Sequence, residues 1–133
     1  MSKHATLGVW VVGGGVAMII MGLLAVRDTS LVGLPEHAFM SMNAMHGVVH
    51  ALGGVLAILI VLALRGSARA YAIFGYGALF VLGFVLNVAS PDFFGTMPDA
   101  PANTPVHVMH AAVALVSLAA GYGELTSVRA RTA

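Results

Sequence analysis

Asn43-Ala-Met-His46-Gly-Val-Val-His50-Ala-Leu-Gly-Gly54-Val-Leu-Ala-Ile-Leu-Ile-Val-Leu-Ala-Leu64 contains no Asp, Glu, Lys or Arg. An apolar run of about 20 residues, at 1.5 Å per residue, is as long as the hydrocarbon core of a bilayer is thick. Lipid offers the backbone no hydrogen-bond partner, so such a segment must bond to itself as a helix. Three further stretches have the same character: Thr6–Val26, Ala68–Ala89 and Thr104–Leu125. The expected fold is therefore all-α and polytopic. It has four transmembrane helices in an antiparallel bundle, and the whole chain, residues 1–133, forms one transmembrane domain.

Composition agrees. Of the 133 residues 59% are apolar and 8% charged, whereas a soluble domain carries about a quarter of its residues as charged side chains. The net charge of +1 gives no reason to expect a nucleic-acid partner. The absence of cysteine excludes disulfides, thiol catalysis and thiolate metal sites. The first apolar stretch follows Lys3 but is longer than the roughly 7–15 residues of a signal-peptide core, so it is read as a retained helix.

Basic residues set the expected orientation. Lys3, Arg65, Arg69, Arg129 and Arg131 fall on one side and Arg27 on the other. The reading is a multi-pass protein of the cell membrane with both termini cytoplasmic and two longer connectors outside. Trp10, Tyr71 and Tyr122 are expected at the cytoplasmic interface, with Phe93 and Phe94 at the outer one. Glu124 is expected at the cytoplasmic interface near Arg129. Thr104-Pro105 suits a helix start.

The second and fourth spans begin alike. Asn43 precedes His50 by the same interval as Asn103 precedes His110, and a small residue, Gly54 or Ala114, follows each second histidine at the same distance. Gly13-Gly14-Gly15 loosely matches Gly75-Tyr76-Gly77 in the first and third spans. The chain thus reads as two helical hairpins related by an axis along the membrane normal, a parallel repeat. At about 100° per residue, Asn43, His46, Gly47, His50, Gly54 and Ala57 share one face, and Asn103, His107, His110, Ala114, Ser117 and Gly121 share another. Small residues permit close helix approach and polar ones avoid lipid, so both stripes are expected to turn inward, toward each other.

The pattern His-x-x-x-small, carried by His50-Ala-Leu-Gly-Gly54 and His110-Ala-Ala-Val-Ala114, resembles an uncharacterised bacterial family of four-helix membrane proteins, domain of unknown function 4383. His107 and Ala114 depart from that family's pattern. The resemblance implies the four-helix membrane fold and no activity.

Four histidines form a layer in the outer half: His46 and His50, then His107 and His110. Residues three or four apart share a helix face. This spacing suits a transition-metal site using His46, His50, His107 and His110, and the nearby thioethers of Met42, Met45 and Met109 would favour copper. A second reading makes His50 and His110 the axial ligands of a haem. A third makes the imidazoles interhelical hydrogen-bonding groups, and a fourth a proton or ion path. Function accordingly divides between a structural or accessory subunit, whose partners are lipid and a larger membrane complex or copies of itself, and a cofactor-binding membrane protein. An enzyme has least support, since no carboxylate lies on the histidine stripes.

Overall fold

A computed structural model describes residues 3–132, with side chains described for residues 7–131. Lys3, which the orientation argument counts, has its side chain outside that range. The elements are α1 (Lys3–Trp10), a π-helical segment (Val11–Val16), α2 (Ala17–Val26), β1 (Val32–Gly33), β2 (Met40–Ser41), α3 (Ala44–Ala63), α4 (Gly66–Ala89) and α5 (Thr104–Thr132). α1, the π segment and α2 run on as one rod. This rod, α3, α4 and α5 are four helices long and apolar enough to cross a membrane.

The expected bounds hold for the first three spans to within a few residues. α4 begins earlier because Gly66, at φ +57°, makes the sharp turn out of α3, a conformation that favours glycine. The exposed Arg65 closes the preceding helix: its Nη1 donates to the carbonyls of Val61, Leu62 and Leu64 at 3.1, 2.8 and 2.9 Å, groups the helix end leaves without partners. α5 continues past the apolar stretch, since no proline follows and its polar end is held by an ion pair. Glu124 is buried there and accepts from Arg69 Nε at 3.1 Å.

Close packing runs within each hairpin. The rod lies against α3, and α4 lies against α5, while α3 and α4 meet only sparsely. Between the rod and α3 the backbones nearly touch. A Cβ at Gly22 would run into the Gly47 carbonyl and one at Gly54 into that of Gly15, while one at Gly47 would lie 2.6 Å from Ala25 Cβ. Gly15 and Gly22 are seven apart, as are Gly47 and Gly54, so two antiparallel helices interlock over two turns. On the other side, a Cβ at Gly77 would lie 3.1 Å from Ser117 Cβ, and one at Gly121 3.1 Å from the Phe74 ring.

This corrects the expected partner of each stripe. The α3 stripe is buried as expected, but its glycines pack on the rod and not on α5. Small residues announce a close approach without naming the neighbour, and the rod carries glycines at the complementary interval. Trp10 turns inward. It is fully buried and donates from Nε1 to Ser117 Oγ at 2.7 Å, with its ring edge-on to Tyr76 at 5.4 Å. A π-helical turn is wider than an α-helical one, and the segment that begins just after Trp10 lets Trp10, Gly14 and Gly15 all face inward. Tyr71 and Tyr122 are exposed.

The two longer connectors clasp each other. β1 and β2 pair in parallel, Val32 with Met40 and Gly33 with Ser41. Asn103 then accepts from Ser41 N at 3.2 Å and donates to the Phe39 carbonyl at 3.0 Å, and Asn43 Nδ2 donates to Asp99 at 2.9 Å. Phe93 and Phe94 take φ of +50° and +59° ahead of Gly95, left-handed conformations costly for side-chain-bearing residues. The turn they make is held by the Ser90 hydroxyl, which accepts from Phe94 N and donates to Asp92. That bond holds the Asp92 carboxyl below its ordinary range.

Candidate metal centre

Asn43 caps α3 through its side chain, which accepts from His46 N at 3.0 Å. The cap fixes His46 in the first turn, and His50, four residues on, stands on the same face. Their rings stack at 4.5 Å, and the two Nε2 atoms are 2.9 Å apart. One of those nitrogens must carry a proton and the other a lone pair. α5 brings His110 across the centre, 5.4 Å from His50 and 6.0 Å from His46, ring to ring. His110 Nδ1 lies 2.9 Å from the Val106 carbonyl. A carbonyl only accepts, so Nδ1 is the protonated nitrogen and the Nε2 lone pair is free. The three rings are buried, and one ligand atom from each lies within 4.8 Å of the others. Phe80 stacks on His50 at 6.0 Å and lies 5.7 Å from His110. Gly83 leaves the room His110 occupies, since a Cβ there would lie 3.3 Å from its ring.

Of the four expected ligands, His107 is not brought to the others. Three residues at about 100° each turn it roughly 60° away from His110, and its ring meets Phe84 edge-on at 6.2 Å, with Nδ1 buried and unpartnered. The haem reading would need the lone pair of His50 Nε2, and that nitrogen already faces His46 Nε2 at 2.9 Å. Met42 and Met109 are core residues, while Met45 joins the site's rim.

Beside the histidines lies a cavity of about 390 Å³, between α3 and α4 where these part. The left-handed turn roofs it with Phe93, Thr96 and Met97. From α4 come Tyr76, Phe80, Gly83 and Asn87. Sequence reasoning gave this helix no part in the site. One signal was available, since Asn87 is a lone amide in an otherwise apolar stretch, and polar side chains of such helices turn away from lipid. No protein-family model, curated protein or solved structure matches the chain.

Proposed function

We propose that this chain is a four-span membrane protein that holds one transition-metal ion on His46, His50 and His110, in the outer half of the bilayer. The observation that carries the reading is the convergence of three buried imidazoles from two helices, with His110 oriented by the Val106 carbonyl. Metal–nitrogen bonds of about 2.0 Å put ligand nitrogens about 3.3–3.5 Å apart; the two Nε2 atoms of His46 and His50 are 2.9 Å apart, and one ligand atom from each of the three histidines lies within 4.8 Å of the others. Among the described residues no carboxylate joins the cluster. Three neutral ligands in an apolar setting leave the ion's whole charge uncompensated, so a monovalent ion costs far less than a divalent one. Imidazole also suits copper, and together these favour copper(I). The cavity provides room at an open coordination position.

The test is anaerobic copper(I) loading of the detergent-purified protein, followed by dialysis and metal analysis. One copper per chain is expected for the wild type and for His107→Ala, and none for His50→Ala or His110→Ala. Equal copper in all four proteins, or none in any, would overturn the metal reading. The second outcome favours a structural subunit, in which the histidines only join helices. The Nε2–Nε2 hydrogen bond supports that alternative, and there each mutant would lose about 1–2 kcal/mol of stability.

The orientation belongs to the same proposal, with both termini cytoplasmic and the clasped connectors outside. Its support is the grouping of Arg65, Arg69, Arg129 and Arg131 at one end. Single cysteines replacing Ser67 and Thr96, both exposed, should react with an impermeant reagent from opposite sides of sealed vesicles. Reaction of both from the same side would refute four spans.

A further inference from the structure

The methionines divide by place. Met18, Met42 and Met109 belong to the packed core, and Met21 and Met40 lie against it. Among the described residues, Met45 and Met97 are the methionines outside that cluster, and both border the cavity that His46, His50 and His110 also line. They come from different elements. Met45 stands in the first turn of α3, directly before His46, and is 57% exposed. Met97 comes from the connector between α4 and α5, where its N–H donates to the Asp92 carbonyl at 2.9 Å. Thr96, its neighbour, is exposed and borders the same cavity. The cavity therefore reaches the surface at the connector end, and the two methionines stand between that end and the histidines.

Thioethers are soft, neutral ligands that select copper(I) over harder divalent ions. The surroundings of the mouth favour a cation. Between Ser90 and Asn103 the connector carries Asp92 and Asp99 and no basic residue. Asp99 accepts from the Asn43 amide at 2.9 Å, and Asn43 caps α3 just ahead of Met45. Carboxylates at the rim raise the local concentration of cations, yet no charged side chain borders the cavity itself. A divalent ion would gain no compensating charge inside, whereas a monovalent one loses much less on entry.

We propose that Met45 and Met97 form a second, outer copper(I) site, which captures the ion at the mouth of the cavity and feeds it to the histidine centre. The capture site stands on its own residues; the feeding step rests on the centre proposed above. No electron moves in the transfer. Sulfur–copper bonds break as nitrogen–copper bonds form, and both ligand sets are neutral, so the ion keeps its single charge throughout.

The test uses the full chain with methionine methyl groups labelled with carbon-13, in detergent and chloride-free buffer. Silver nitrate supplies silver(I), a soft monovalent ion that does not change oxidation state. The first silver per chain should fill the histidine centre. A second should move the methyl signals of Met45 and Met97, assigned through Met45→Leu and Met97→Leu, and leave those of Met18, Met42 and Met109 in place. If the first silver already moves these two signals and no more is held, the histidine centre fails and the capture site stands. If neither signal moves at any silver concentration, or the core methionines move equally, the capture site is refuted. Copper(I) uptake then tests the feeding step. Each leucine variant, nearly the same in volume, should reach the wild-type copper content at least about tenfold more slowly. Uptake at the wild-type rate by both variants would overturn that step.

Discussion

Gly22→Leu should separate the first rod from α3 and cost at least about 3 kcal/mol, at the upper end of what overpacking a tight interface does. The reason is the neighbour's identity. A Cβ at Gly22 would run into the Gly47 carbonyl oxygen and lie 2.8 Å from Ala51 N. These are backbone atoms within a regular helix, so neither can swing aside as a flexible side chain would. The helices would have to part along the whole interlock, losing the Gly15–Gly54 approach as well. Thermal unfolding in detergent measures the effect. Gly75→Ala is the matched control: Gly75 is exposed on α4, and its Cβ would meet nothing within 4 Å. It should be neutral or stabilising, by up to about 1 kcal/mol, through helix propensity. Leu62→Ile, at an exposed position on α3, should also be silent. Similar melting temperatures for Gly22→Leu and Gly75→Ala would refute the interlock.

Arg69→Leu should be comparably damaging, by about 3–5 kcal/mol. The side chain of Glu124 is 4% exposed and that of Arg69 16%, so removing the cation strands a buried carboxylate. Glu124→Gln should cost clearly less, since the amide oxygen can still accept from the guanidinium and Arg69 can extend toward the helix end. Replacing both, Arg69→Met with Glu124→Leu, should restore most of the stability lost in the single Arg69 variant, as buried pairs exchanged for apolar side chains commonly do. The double variant separates a stranded charge from lost packing. If it proves no more stable than Arg69→Leu, the packing explanation holds and the ion-pair account fails.

Much of this architecture was legible in the residues. Four apolar runs of membrane-spanning length required four helices because length and hydropathy act independently of context. The buried face of α3 followed from periodicity alone. What periodicity could not supply was the neighbour of each face. Gly47 and Gly54 fit whichever helix offers matching gaps, and those gaps lie at Gly15 and Gly22. The same limit explains Glu124, whose partner Arg69 comes from the adjacent helix, 55 residues away in sequence. Trp10 faces inward next to a π-helical turn, which shifts the facing of residues around it. Three of the four histidines converge, and His107 fails to do so for a reason of angle that the three-residue spacing already contained. The cavity escaped notice because it is made by the divergence of α3 and α4, a property of no single segment.

The clasp between the connectors also bears on how the chain is made. His46 and His50 lie on one helix and can meet as soon as that helix forms. His110 follows Asn103, whose bonds to Ser41 and Phe39 tie the start of α5 to the first connector. The third imidazole therefore arrives with α5, seated by the contact that ties α5 to the first connector. A chain arrested before Asn103 would hold two of the three histidines and lack the Asn103 bonds to Ser41 and Phe39. The three imidazoles thus come together only once α5 has joined the first hairpin.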